Sequence, residues 1–572
     1  MGYASFTPMQ TRAQNNLSDQ GRWQQVFILK LMLLAAFFYL NSHGAVQRVD
    51  LLFINDRYVT LIAFLGIWVM CVVSLFLVAL HRAFWIRLFW ATLFAVASFC
   101  SYSYLTVSGS NLSLYDVISL WSVRHEAGRA AANYAGVLPL ASLVAMLGFL
   151  AITLKPRRFA GGVDRIISRL GWTPAVPIAA IASIVLAFQG GGSQSLPQHF
   201  SVLSISGVAA YKLATVGERQ RMPVAWTPGV AQARVIILLV DESIRADYLN
   251  WHEGNPFTPK LAAHRKEFVS FGKAVSGGDC SHYSNALLRL SASHDNITHS
   301  INHNPTIWNF AQHAGYRTIY IDGQSGQNKN AGKLQNFMTD QEASAIDVFY
   351  EFDTDVPTHE LDFELLKIID KEIRKPGKTF IYANKNGAHF PYDSAYPARE
   401  TRFTPTETDK PEEVLAKINS YRNAIHWSVD TFFDEAIRSW NLDDAIVIYT
   451  SDHGQNLAAG HLTHCSTSNP DPREALVPLL AITGIGPVDE ALRYGAQINR
   501  NAASHFAIVP TMLGFMGYDN SDIAGLFGPS LLEPITYSLD FTYGDIFGLF
   551  AEETARKKVD LTASYLETVE VN

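Results

Sequence analysis

Apolar residues crowd into the first 190 positions of this chain, and that crowding limits its fold more than any other feature. Five runs there carry almost no charge: Val26 to Leu40, Tyr58 to Leu80, Phe84 to Val107, Ala135 to Leu154 and Trp172 to Phe188. A helix that crosses a bilayer needs roughly 17–25 mostly apolar residues. The first and last runs are marginal in length, and the last contains Pro174 and Pro177. Five such runs in succession predict an α-helical transmembrane domain of about five spans rather than buried soluble helices. Lys and Arg orient them. Arg12, Arg22, Lys30, Arg82, Arg87, Lys155, Arg157, Arg158, Arg165 and Arg169 fall on one side, and only Arg48, Arg57, Arg124 and Arg129 on the other. Ten against four places the amino terminus in the cytoplasm, and five crossings then place everything beyond Phe188 outside. No small-residue cleavage site follows the first run, so it reads as a span and not as a cleaved signal.

The 572 residues exceed one ordinary core. A net charge of −7 and the lack of a basic tail give no support to nucleic-acid binding. We expect a transmembrane domain over residues 1–190, a linker and bridging segment over 191–232, and an extracytoplasmic domain over 233–572. The linker begins with GGGSQSLP (Gly190 to Pro197), and His199 to Val216 reads as an amphipathic connector. From Arg234 onward apolar strand-like runs alternate with helical patterns. The strand candidates are Val235–Val240, Arg317–Asp322, Thr379–Asn384, Ala445–Ser451 and Pro478–Gly484, with helices expected over Asn309–Ala314 and Pro411–Ser439. This alternation predicts an α/β domain with a largely parallel sheet and helices on both faces.

Two of those runs stop abruptly in acidic or imidazole side chains: VIILLVDESIRAD (Val235 to Asp247) and AIVIYTSDHG (Ala445 to Gly454). In open α/β sheets ligands bind beyond the carboxyl ends of the strands. Asp241, Glu242, Asp452 and His453 are therefore expected to converge, and carboxylates with an imidazole suit a divalent metal, zinc in particular. Of the four cysteines, Cys71 and Cys100 fall within expected spans. Cys280 and Cys465 fall in the external domain, where disulfides are allowed. Sequence does not say whether they pair.

Further segments follow in a fixed order: SGGDCSHYSN (Ser276 to Asn285), IDGQSG (Ile321 to Gly326), NGAHFP (Asn386 to Pro391), SDHG (Ser451 to Gly454) and SHFAIVPTMLG (Ser504 to Gly514). With VDESIRAD before them, this set resembles the membrane-anchored phosphoethanolamine transferases of Gram-negative bacteria, in the alkaline phosphatase/sulfatase superfamily. The resemblance spans nearly the whole chain, and SDHG alone would be weak. It implies that Glu242, Asp452 and His453 hold one zinc ion together with the nucleophile, for which Ser281 is the best match by spacing from Glu242. The competing reading of Ser281 is a helix N-cap, and Cys280 beside it competes as a thiolate. Asp241 stands where the family has a small residue. It is a candidate ligand for a second metal or a partner for strand-end backbone. His389 matches the second histidine of the family's H-G-x-H, a substrate-phosphate contact, while Asn386 replaces the first. His464 resembles a histidine near the metal. For both, a solvated loop histidine is the alternative. Glu126, in the 107–134 loop, is a candidate for the donor's ammonium. His294, His299 and His303 read as surface residues.

The resemblance implies transfer of phosphoethanolamine from phosphatidylethanolamine to lipid A, a core sugar or another periplasmic glycan, through a covalent serine intermediate. The site would be periplasmic and anchored in the inner membrane. A phosphoglycerol transferase would share the metal site. A sulfatase needs C/S-x-P-x-R around its nucleophile, which neither Cys280 nor Ser281 has. A catalytically silent membrane scaffold is the reading from outside the enzyme class.

Overall fold

The computed structural model describes residues 8–108, 111–122, 135–156, 162–215, 220–249, 256–324, 338, 340–352, 355–411, 413–458, 461–466, 469–550 and 553–566. The chain forms two compact units, one of residues 1–121 and 126–216 and the other of residues 122–125 and 217–572.

The first unit is helical. Tyr58–Ala79 and Phe84–Val107 are long and apolar enough to cross a membrane. Their flanks point apolar groups outward, with Val59 and Trp85 standing 85% and 76% exposed, as expected of a lipid-facing surface. Gln24–Leu40 and Ala45–Ile54 pass the same test only as a pair bent by 57°. The expectation of five spans needs correction here. The described helices give two, or three with the bent pair, because the fourth and fifth runs form the shorter helices Leu138–Thr153 and Ala175–Ala187. Thr173 and Pro174 turn the chain before the last of these, and Leu154 leaves helical geometry after the other.

Two cations from the orientation tally have a structural task in this unit. Lys30 Nζ donates to the carbonyls of Ile152 and Leu154 at 3.1 and 2.7 Å, and Arg87 donates to those of His81 and Thr153 at 2.6 and 3.4 Å. Together they cap the carbonyl end of Leu138–Thr153, whose last C=O groups have no partner within the helix. The segment read as a connector contains the helix Gln198–Thr215, and its amino-terminal half, from Gln198 to Phe200 and on to Ile205, is buried within the first unit.

The second unit is built on an eight-stranded sheet in the order β4-β3-β5-β1-β6-β7-β2-β8. The strands are β1 (Val235–Asp241), β2 (Val269–Val275), β3 (Arg317–Asp322), β4 (Val348–Glu351), β5 (Thr379–Asn384), β6 (Ala445–Ser451), β7 (Leu476–Thr483) and β8 (Ala503–Ser504). From β4 to β6 every pairing is parallel, whereas β7 runs antiparallel to both β6 and β2. β1 lies at the centre, fully buried and paired on both sides. That is why it reads as a continuous apolar run. Ile236 and Leu238 enter a core with Trp308 and Met512, while Ile237 and Leu239 enter the opposite one with Leu366 and Phe432. Each such side chain contributes about 1.5–3 kcal/mol by leaving water. β2, with an interior Gly272, was not anticipated. Neither was β4, whose residues are only half-buried, nor the tail hairpin of β9 (Asp540–Tyr543) and β10 (Ala555–Lys558).

Candidate active site

The apolar grip on β1 and β6 ends at Asp241 and Ser451, which are register partners. The residues that follow on each strand therefore emerge side by side. Glu242 leaves β1, and Asp452 and His453 leave β6. All three are buried, and one ligand atom from each falls within 4.8 Å of the others. His453 Nε2 lies 3.2 Å from Glu242 Oε1 and 3.8 Å from Asp452 Oδ1. The other ring nitrogen, Nδ1, donates to the Gly454 carbonyl at 2.7 Å, so Nε2 is turned toward the carboxylates. Gly454 is required here, because a Cβ would meet the Arg473 carbonyl oxygen at 2.2 Å.

Local backbone aims the acids. Ser243 sits at φ 65°, a left-handed conformation that non-glycine residues seldom adopt, and such strain clusters at functional sites. In that pose its N–H donates to Asp452 Oδ1 at 3.0 Å and its hydroxyl to Glu242 Oε1 at 2.6 Å. Gln455 Nε2 supports the Ser243 hydroxyl at 2.6 Å. Gln324 Nε2 donates to Glu242 Oε2 at 2.8 Å and to the Lys385 carbonyl at 3.0 Å. Ser243, Gln324 and Gln455 were not singled out from sequence. Gln324 lies within the quoted IDGQSG, so the motif marked it without a role.

Ser281 faces this trio. Its Oγ donates to Glu242 Oε2 at 3.0 Å and lies 3.1 Å from His453 Nε2. It is the first residue of the helix Ser281–Arg289, and the N-cap is Cys280. Its hydroxyl is thus spent on the site and not on capping. Cys280 is bonded to Cys465, which removes its thiol as a competing nucleophile or ligand.

The electrostatics favour a cation. Burial works against charge on His453, yet the negative charge of Asp452 and Glu242 outweighs it and raises the imidazole to about 10. Burial also opposes charge on Glu242, but the bond and charge of His453 hold its carboxyl well below the usual range. Asp452 is pushed well above it, by burial first and by Glu242 second. Asp452 Oδ2 is buried without a hydrogen-bond partner. Two carboxylates, one of them with an unpaired oxygen, one imidazole and one hydroxyl make four donor groups at a common point, a set that fits a tetrahedral N/O zinc site.

The remaining candidates divide. The His464 ring stacks on His453, with centroids 4.3 Å apart and planes at 21°. Burial, then the charge on His453, holds it well below the ordinary histidine value. His389 is half-buried with Nδ1 2.6 Å from the Phe390 carbonyl, and its charge acts on both Glu242 and His464. His282, unremarked in the sequence, is buried nearby and also acts on His464. Asp241 is placed elsewhere. Its carboxylate takes Lys385 Nζ at 2.6 Å, the Tyr449 hydroxyl at 2.9 Å and the Glu242 N–H at 3.0 Å. That leaves it a partner of strand-end backbone and of a buried lysine, outside the zinc-type trio. Lys385 also approaches Asp362 at 3.6 Å, and Asp362 accepts from Asn386 N–H and Gly387 N–H at 2.7 and 3.2 Å. This network seats the loop that carries His389, and Gly387 lies so close that a Cβ would meet Asp241 and Glu242 at under 3 Å. Glu126 lies outside the described residues.

Residues 234–518 match the Sulfatase family. No curated protein matches the chain. Among solved structures, the integral membrane protein lipooligosaccharide phosphoethanolamine transferase A from Neisseria meningitidis is 20% identical. The match covers 86% of this chain and 96% of that one, with a TM-score of 0.63. The C-terminal periplasmic domain of EptC from Escherichia coli, in complex with Zn, is 19% identical over 60% of this chain and 97% of that one, with a TM-score of 0.46. The chain thus joins an N-terminal unit of apolar helices to a domain that matches the Sulfatase family model, and its fold is similar to that of an integral membrane phosphoethanolamine transferase.

Proposed function

We propose that this protein is a zinc-dependent, membrane-anchored transferase. It would move phosphoethanolamine from phosphatidylethanolamine to an extracytoplasmic acceptor, lipid A or lipopolysaccharide foremost, through an ester on Ser281. One observation carries the reading: the Ser281 hydroxyl lies 3.0 Å from Glu242 and 3.1 Å from His453, at a buried site whose Asp452 Oδ2 is unpaired. A neighbour of the same fold named as a phosphoethanolamine transferase is consistent with it.

Glu242, Ser281, Asp452 and His453 would hold the zinc, which when bound supplies Lewis-acid polarisation and makes a serine alkoxide accessible near neutral pH. Ser281 opens a nine-residue helix, so a phosphoryl group on its oxygen meets the positive end of the helix dipole. The Ser281 hydroxyl first releases its proton to solvent, and the Oγ–P bond then forms as the bond from phosphorus to the diacylglycerol oxygen breaks. His389 protonates that departing oxygen, and the neutral His464 ring offers a hydrogen bond to the phosphoryl group. The acceptor oxygen then attacks the same phosphorus, its proton goes to the imidazole, and the Ser281 oxygen leaves.

From a cytoplasmic amino terminus the second unit lies outside with three crossings, the bent pair counted as one, or with five, and the inner-membrane, periplasmic reading requires such an odd number rather than two. A disulfide in that unit suits an oxidising compartment.

Intact mass spectrometry of zinc-loaded protein incubated with phosphatidylethanolamine tests the reading, with phosphatidylglycerol and Ser281→Ala in parallel. A phosphoethanolamine adduct on the native protein, absent from the variant, is expected. A phosphoglycerol adduct would replace the donor, and no adduct from either lipid would sink the lipid-donor reading.

A further inference from the structure

Two cysteines that take no part in the chemistry flank two residues that do. Cys280 directly precedes Ser281, and Cys465 directly follows His464. Their sulfurs are bonded, with Cα atoms 4.6 Å apart, and Cys465 N–H donates to the Asp279 carbonyl at 2.8 Å. Cys465 stands at φ 61°, so the chain turns sharply as it reaches the bond. The rest of its loop is held at the ends. Asn456 N–H donates to the Thr463 carbonyl at 2.7 Å, and Ser466 donates to Glu474 from N–H and hydroxyl at 3.1 and 2.9 Å.

The metal-type trio rests on other supports. Glu242, Asp452 and His453 are carried by the paired ends of β1 and β6 and by Ser243. The site thus has two independent anchors. The sheet fixes the three ligands, and the covalent bond fixes the serine-bearing helix start against the loop that stacks His464 on His453.

We infer that the Cys280–Cys465 disulfide is a positioning link, holding the His464 imidazole in register with the Ser281 hydroxyl so that a phosphoryl group on the serine meets that ring. The inference rests on the roles just proposed for Ser281 and His464. Ser281 is also held by Glu242 and His453 at 3.0 and 3.1 Å, whereas His464 reaches the site on the loop that the bond ties down, so loss of the bond displaces that ring, and a misplacement of about 1 Å can cost about 100-fold in rate.

A variant cycle on the full-length, zinc-loaded protein tests this. It compares Cys280→Ser/Cys465→Ser, His464→Ala and the combination of all three. The readouts are the rate of serine adduct formation, KM for phosphatidylethanolamine, zinc content and calorimetric binding of soluble O-phosphoethanolamine. The cysteine variant should keep its zinc, lose about 10–100-fold in kcat and change KM by less than about twofold. Added to His464→Ala, it should cost less than about a further twofold, since both act through the same ring. Equal and multiplicative losses in the two backgrounds, or loss of zinc with the cysteines, would overturn the link in favour of a general clamp. If the cysteine variant does not fold, the native protein is treated with a water-soluble phosphine. That reagent gives two electrons to the disulfide, leaving two thiols and a phosphine oxide, and full activity after verified reduction overturns the proposal. Headgroup binding separates the two readings. Without any adduct from the native protein the transferase reading fails, while weakened headgroup binding shared by the cysteine and His464 variants still supports the link. Where the native protein forms no adduct, unchanged headgroup binding in every variant overturns it.

Discussion

At the scale of single residues, the site is a set of buried charges whose partners are chosen closely. Asp241 and Glu242 are neighbours in sequence with opposite assignments, because Asp241 is the last residue of β1 and Glu242 already lies beyond the strand. Glu242 turns to His453 and Ser281, and Asp241 turns to Lys385 and Tyr449. The Lys385–Asp241 pair is fully buried, and burial alone would push the Asp241 carboxyl up. It sits at about 6, with Lys385 pulling against that rise. Removing one partner of such a pair leaves an uncompensated charge in the interior. Lys385→Met is expected to cost about 3–5 kcal/mol, read by chemical unfolding, and Asp241→Asn added to it should recover most of the loss. If Lys385→Met is as stable as the native protein, the network beneath the His389 loop is not an ion pair. Ser243 illustrates what sequence conceals at this scale. VDES marks the acid, yet nothing in the letters says that the serine adopts a left-handed turn to aim it.

At the scale of elements, two predictions concern pieces whose polar groups lack ordinary partners. The carbonyl end of Leu138–Thr153 is closed by Lys30 from another helix. Lys30→Met leaves those buried carbonyls unsatisfied and should destabilise the helical unit by about 1–3 kcal/mol in detergent unfolding. A neutral result would mean that other groups take over the cap. In the loop before Val414–Ile425, Glu407 has one carboxyl oxygen without a partner, and burial raises its pKa from 4.5 to about 7. Between pH 4.5 and 7 the folded chain holds a proton that the unfolded chain has lost. The contribution of Glu407 to stability therefore falls as pH rises through that window and is level above about 7. Glu407→Gln should flatten that slope, which thermal melts across the window can check. Elements also mark where sequence reading was good and poor. β1, β3, β5 and β6 were legible because strands buried on both faces are continuous apolar runs. β2 was not, since Gly272 and Lys273 interrupt its pattern and its partner β7 lies two hundred residues away.

For the whole molecule, the disulfide and the metal-type site both tie distant segments together. A bridge across 185 residues removes about 5 kcal/mol of chain entropy from the unfolded state in the loop-closure model. A zinc ion would add its own binding energy to folding, since the ligands come from β1, the Ser281 helix and β6. Chelation should therefore lower the melting temperature and stop adduct formation together, and returned zinc should restore both. Adduct formation at an unchanged rate after verified zinc removal would sink the metal-dependent reading.

Some properties of this protein follow from local pattern alone. Apolar runs announced a helical first half, and alternating runs announced an α/β second half with acids at strand ends, because burial on a strand or a helix face imposes its own period on the chain. The ordered motifs brought Glu242, Ser281, Asp452, His453 and His389 into view, and the family resemblance added His464. Only the tertiary structure decided that Cys280 and Cys465 join, that Asp241 serves Lys385, and that the fourth apolar run forms a short helix. Those outcomes depend on what lies across a sheet or beyond a loop, and distances between residues far apart in sequence are set by packing, which no local pattern encodes.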